Sequence, residues 1–389
     1  MKYWLPYLTR RQTFGLLCLL LLVQIGESFP QSSRDSLIHS GIRDIYNISF
    51  DSAERKFRTL MASEPDEPAG RFFLAMIDWW KILLDTEDRQ HDDLFYEKLE
   101  DIIHHCDKLL DKRPKDIEAL FFKGGAIGFR ARLRSLREDW INAADDGRIA
   151  LPIVQYVERN DPGNTDVLLG TGIYNYYASV IPEKYPFIKP LMLFFPSGDK
   201  KLGIEQLKKT AETGKYSRYE AMYLLLTLHY AFENDMVTAM EYARKLHEEF
   251  PDNPVFEKWL GRIGVRGGDP DLYYSIFSGV IAKGEKGMRG YTLRARREAH
   301  YYVGLYHQAW RNSDSTITHF KKCSELSEKL DLDDASGYWV NAALYLGMEY
   351  DRRQEYGLAR QYYQKVLDMK EYGDSHDLAE KYLEFIKEK

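Results

Sequence analysis

Arginines at helical spacing are the side chains here with the plainest binding chemistry. Arg130, Arg134 and Arg137 follow one another at intervals of four and three residues, with Arg132 beside them. A second group gathers Arg289, Arg294, Arg296 and Arg297. Residues so spaced share one face of a helix. A guanidinium fork takes a carboxylate or phosphate in bidentate fashion. Two uses follow: surface pairing with this acidic chain's own carboxylates, or capture of an acidic peptide or carboxylate terminus. The second use makes Arg130, Arg134, Arg137, Arg294 and Arg297 the candidate binding residues, with Tyr174 and Tyr177 as aromatic walls. On that reading, reversing Arg134 and Arg137 to Glu weakens binding and leaves the fold intact.

Other constellations are poorer. Gly170-Thr171-Gly172 lacks the third glycine of a dinucleotide loop, because Asn175 stands there, and the preceding pattern is helical. His104, His105 and Cys106 are adjacent, so on a helix they point about 100° apart and cannot face one ion. His300 and His307 share a face but fall where packing aromatics belong. No G-x-S-x-G, HExxH or CxxC occurs, so neither nucleophile nor zinc chemistry has its usual spacing. The expectation is therefore no catalytic residue, no metal and no cofactor.

The elements that carry these residues come from a repeat. Ala343, Leu346, Gly347, Tyr350, Ala359, Tyr363 and Val366 have the offsets of W-x2-L-G-x2-Y-x8-A-x3-F-x2-A, the tetratricopeptide pattern. The same ruler fits Tyr223 to Pro251 through Ala239, Leu260 to Val280 through Gly261, and His300 to Cys323 through Gly304. It also fits Leu37 to Pro65. Three further repeats fit as halves with an insertion between them. They open at Leu74, at Gly124 and at Leu169-Gly170, and close at Pro114, at Pro162 and at Thr210. The glycines and alanines mark close helix contacts. A last amphipathic helix over 377–386 caps the array. The fold class is an all-α solenoid of tetratricopeptide-like helical hairpins, a right-handed superhelix of about eight pairs over 36–387.

Residues 180–199 are the most individual stretch. A helix is expected from about 165 to 179. Pro182, Pro186, Pro190 and Pro196 then forbid a long regular one. Phe187, Leu191, Phe194 and Phe195 stand among the apolar residues between them, and Ser197 or Asp199 caps the restart. The insertion either plugs the superhelix or faces a lipid surface. Gly170, Gly172, Asn175, Ser179, Pro182, Gly198-Asp199-Lys200, Gly203 and Leu207 resemble the central motif of the eukaryotic tetratricopeptide family that includes the yeast inclusion-body clearance protein. The likeness spans residues 170–207. It implies a non-enzymatic helical repeat protein with at most membrane-linked associations, and carries over no catalytic residue.

The N-terminus reads as a secretory signal. Lys2, Arg10 and Arg11 precede a 12-residue apolar run, Phe14 to Ile25, with Gly26 and Ser28 before the expected cleavage at Phe29. A bilayer span needs ~20 residues, so an uncleaved anchor is the alternative. The chain beyond residue 28 carries a charge of −8, which gives no bulk attraction for nucleic acid. Cys106 and Cys323, at apolar helix positions, read as buried free thiols. Asn47-Ile48-Ser49 is a sequon, relevant only in a eukaryotic secretory route. The expected function is an extracytoplasmic scaffold, periplasmic in a Gram-negative source, that binds a peptide or helix of an envelope protein. The alternative is an envelope lipid- or small-ligand-binding protein that uses 182–196 as a lid or membrane foot.

Overall fold

The computed structural model describes residues 31–186, 189 and 195–387. Among them stand seventeen α-helices and no strand. They pair in chain order into eight hairpins. These are α1 (Gln31–Tyr46) with α2 (Phe50–Ser63), α3 (Ala69–Leu84) with α4 (Asp92–Lys112), and α5 (Ile117–Leu136) with α6 (Trp140–Asn160). Next come α7 (Leu168–Lys184) with α8 (Lys200–Thr213), α9 (Arg218–Leu228) with α10 (Met236–Glu249), and α11 (Pro254–Gly267) with α12 (Pro270–Glu285). The last are α13 (Leu293–Ala309) with α14 (Ser313–Leu330), and α15 (Gly337–Arg352) with α16 (Tyr356–Leu367). A capping helix, α17 (Ser375–Lys387), packs on α16 and α15. The chain is an all-α repeat solenoid of tetratricopeptide type.

One contact recurs in four hairpins. Gly41, Gly261, Gly304 and Gly347 sit on first helices, each sixteen residues before an aromatic ring of the second. A Cβ at these glycines would stand 2.5 Å from Phe57, 2.7 Å from Phe277, 2.8 Å from Phe320 and 2.5 Å from Tyr363. The ring lies flat on bare backbone, so any side chain there forces the helices apart. Ala239 and Ala359, both fully buried, are the small residues of two second helices. Gly124 does the same work against Val154, at 2.9 Å.

The turns within hairpins share a geometry too. Ile48, Glu138, Asn234, Arg311 and Gln354 all have φ between 54° and 64°. In four of these turns the N–H of the next residue donates to a carbonyl five residues back, from Ser49 to Asp44 and likewise at 139, 312 and 355, at 2.8–2.9 Å. That closes the first helix with a left-handed cap. A side chain in this conformation costs roughly 1–2 kcal/mol. Ile48 is held there by burial, at 3% exposure. In the fifth hairpin a π turn, His229–Glu233, lengthens the end of α9.

Two expectations change here. The inserted residues of the second and third repeats form no separate segment: they lengthen α4, α5 and α6 to 20 or 21 residues. Helix α7 also runs through Pro182 to Lys184. The proline lies in the last turn, where a missing N–H removes a single helical bond.

The larger departure is closure. The first hairpins pack on hairpins five to seven, so the concave wall of this part is interior. The Tyr46 ring lies 4.5 Å from Trp80, 5.1 Å from Tyr219 and 5.2 Å from Phe250, centroid to centroid. Trp80 in turn meets Tyr223 at 5.9 Å and Phe256 at 5.5 Å. Asn253 caps α11 and also donates to the Tyr46 carbonyl at 2.8 Å. Beyond this ring, α14 to α17 carry a separate core around Phe320, Leu346 and Tyr363.

Candidate functional site

The arginines come first. Asp146 is 1% exposed and sits between Arg130, whose Nη2 donates at 2.5 Å, and Arg134, whose Nη1 donates at 2.6 Å. Arg130 also pairs with Glu100. Arg137 grips Asp92 with two bonds, of 2.6 and 2.8 Å, and the Thr86 carbonyl at 2.5 Å. From the opposite side Arg294 reaches Asp85 at 3.1 Å and also Glu87. Arg297, 1% exposed, holds Asp331 at 2.6 Å with its guanidinium over the Tyr338 ring.

Arg137 at the end of α5 and Arg294 on α13 therefore converge from far apart in sequence on the single segment 85–92, while Arg130 and Arg134 hold Asp146 of α6. They brace the ring rather than line an open groove. Arg132 belongs to the same scheme, packed over Trp79 and Phe129 and paired with Glu220 of α9 at 2.6 Å. The expectation that Arg134 and Arg137 could be reversed without harm to the fold is corrected by this geometry. Either reversal sets an unpaired carboxylate beside one that is already buried, a loss of about 3–5 kcal/mol.

The α7–α8 motif has a packing explanation. A Cβ on Gly198 would lie 2.4 Å from the Asn175 carbonyl, and one on Gly203 would lie 2.6 Å from the Tyr176 amide. Gly172 meets Leu207, and Asn175 donates to Gln206 at 2.8 Å. These residues weld the two helices on either side of the insertion. Gly170 rests on Val154. Asp199, not Ser197, caps α8 through the Leu202 amide. Tyr174 donates to the Pro196 carbonyl at 2.7 Å, so it pins the end of the insertion. Tyr177 packs edge-on against Tyr176 and Phe232. Phe195 is half-buried. Phe187, Leu191 and Phe194 lie outside the described residues, as does the expected signal segment 1–28.

A second assembly was not singled out from the sequence. Tyr274 on α12 stacks on Tyr306 of α13 at 4.1 Å, and Tyr273 meets the same ring edge-on. His307 stands edge-on to Tyr274 and stacks on His319 of α14 at 5.5 Å. The row ends inward at His300, whose Nδ1 is 3.0 Å from Nδ1 of His319. It ends outward at Trp310, which is 63% exposed. Burial pushes His300 down to about 3 and His319 down to about 4, and lowers His307 as well. All three imidazoles are therefore neutral at pH 7. The seven-residue spacing of His300 and His307 was the available signal. The tyrosines and His319 come from neighbouring helices, which spacing along one helix does not register.

Other chemistry is thin among the described residues. No three His, Cys, Asp or Glu side chains converge as a metal site requires. Among the described residues, no helix is long and apolar enough to cross a membrane. Cys106 and Cys323 are buried free thiols, each pushed up to about 12 by burial.

No family model matches the chain, and no curated protein matches it. Among solved structures it is similar to the C-terminal part of a TPR repeat-containing protein from Cytophaga hutchinsonii, with 15% identity over 78% of this chain and 98% of that one, TM-score 0.37. Human IFIT1, solved as a dimer with m7Gppp-AAAA, is 13% identical over 82% of this chain and 67% of its own, TM-score 0.41. A tetratricopeptide repeat protein from Parabacteroides merdae is 14% identical over 76% and 93%, TM-score 0.31. The fold stands on its own helix order and packing.

Proposed function

We propose that this chain is an extracytoplasmic protein-binding scaffold whose partner docks on the Tyr274–Tyr306–His307–Trp310 row. The carrying observation is Trp310, a large side chain 63% exposed at the outer end of an ordered stack of rings. Tyr and Trp supply wide, stiff contact area at little entropic cost and dominate binding energy at interfaces. The closed ring supports this choice. Its concave wall is filled with the chain's own aromatics, which leaves the outer surface for a partner. The five candidate arginines are already paired, so they enter binding only by exchanging a carboxylate. The secretory pattern read in residues 1–28 is what supports a partner in the cell envelope.

A photo-crosslinking residue at Trp310, compared with one at Leu332 on the far edge, tests this in the native envelope. One stoichiometric protein captured at 310, and lost when Tyr306 becomes Ala, is the expected result. Capture that ignores Tyr306→Ala, or that occurs equally at 332, overturns it.

A further inference from the structure

We infer that the partner segment docking on the Tyr274–Tyr306–His307–Trp310 row is proline-rich and extended, a short polyproline II helix. The inference rests on that row being the docking surface and names the chemistry of its occupant. Charge is the first observation behind it. The chain is 29% charged, yet residues 272–282 and 299–310 hold no Asp, Glu, Lys or Arg. These two stretches lie on α12 and on α13 with its C-cap, and the row is built from them. Its imidazole is neutral as well, because burial holds His307 below the ordinary histidine range. An acidic or a basic segment finds no counter-ion on either stretch.

Unused donors are the second observation. The hydroxyls of Tyr273, Tyr274 and Tyr306 and the indole N–H of Trp310 have no hydrogen-bond partner among the described residues. None of these hydroxyls is sealed from solvent. A tyrosine hydroxyl has one proton to donate, and an indole N–H donates only. The row thus offers four donors in a neutral, largely apolar setting. Its complement is a ligand rich in free carbonyls and poor in N–H groups. A polyproline II strand has that character: it makes no internal hydrogen bonds, and each proline lacks the N–H. A helical segment uses its carbonyls internally and has few to offer.

Shape agrees with this chemistry. Tyr273 and Tyr306 are 6.2 Å apart, and Tyr306 and Trp310 6.0 Å, centroid to centroid. Two such steps match about four residues of polyproline II at ~3.1 Å each. Tyr274 and Tyr306 cover a face of one another at 4.1 Å. That leaves less open ring face for a sugar to stack on than a row of separate rings would. Trp310, 63% exposed, is the wide surface against which a pyrrolidine ring packs. A preformed strand loses little conformational freedom when it docks on aromatic side chains.

The test titrates the full chain into fluorescein-labelled decaproline and reads anisotropy, beside an Ala-rich helical peptide and a labelled chito-oligosaccharide. Decaproline is expected to bind and the other two are not. Trp310→Ala should weaken decaproline binding about tenfold. Tyr306→Phe, which keeps the ring and removes one donor, should weaken it about fivefold. No decaproline binding overturns the inference, as does binding that ignores both substitutions or is matched by the helix or the saccharide. Unlabelled decaproline added to the photo-crosslinking at 310 separates this inference from the reading beneath it. Loss of the captured protein is expected. Capture that persists at saturating decaproline overturns the inference and leaves the docking row standing. Absence of any captured protein at 310 overturns the docking row, and the inference with it.

Discussion

Where the first two hairpins meet the fifth and sixth, the space between them is filled by Tyr46, Trp80, Tyr219, Tyr223, Phe250 and Phe256. Where α12 meets α13 and α14, rings of the same kind form a row that ends at the surface. The chemistry is similar in the two regions, and the boundary differs. In the ring, aromatics face aromatics across the superhelix, and each such pair adds about 0.5–1.5 kcal/mol beyond its buried area. Buried charge pairs lock the surround: Arg132 on Glu220, Arg137 on Asp92, Arg297 on Asp331. In the arm, the outward part of the stack from the row on α12 and α13 through α17, no opposite wall faces the row, so Trp310 stays in water. A repeat solenoid is stabilised mostly by nearest neighbours. Closure gives the ring contacts between residues more than 170 positions apart, and α13 joins it at its N-terminal end through Arg294. The ring reads as the rigid body and the arm as the surface left for partners.

The sharpest way to break the comparison is at Asp146. Arg134→Glu puts a second carboxylate beside one that is 1% exposed, and is expected to cost about 3–5 kcal/mol. Amide exchange should rise through α5 and α6 and stay unchanged in α15 and α16. Uniform loss of protection would mean that ring and arm unfold as one unit. Overpacking the arm is the matching insult. Gly304→Leu drives a side chain into Phe320 and should cost about 1–3 kcal/mol, with its melting change confined to the arm.

Acid should separate the halves next. His300 and His319 are held below the ordinary histidine range in the folded chain. The unfolded chain binds their protons first as pH falls. Their contribution is intact above about pH 6.5 and is lost progressively toward pH 3–4, as the unfolded chain takes up the protons that the folded pair refuses. Denaturant midpoints between pH 7 and 4 should fall steeply for the arm, and His300→Phe should flatten that slope. The smallest effect is expected at the left-handed turns. Gln354→Gly removes a side chain from φ 62° and should raise the arm's melting point by an amount worth about 1 kcal/mol. Ile48→Gly should lower that of the ring, because its side chain is buried.

By itself the sequence determined the hairpins. Glycine-to-aromatic offsets such as Gly347 to Tyr363 and terminating prolines are local signals, since one helical turn and one ring width fix them. The α7–α8 weld was legible in part: Gly203 stood at a repeat's small position, while the contacts of Gly172 and Gly198 appear in the structure. The tertiary structure alone decided what the curvature of the stack does. Small rotations between repeats accumulate until Tyr46 reaches Phe250, and no local pattern encodes that sum. The arginine groups carried the right chemistry, but whether their carboxylates came from a partner or from the chain itself was decided by packing: Asp146 and Asp92 come from the same and the neighbouring hairpin, and Asp85 is brought to Arg294 by closure. The Tyr–His–Trp row depended in the same way on which faces of three helices the stack left uncovered.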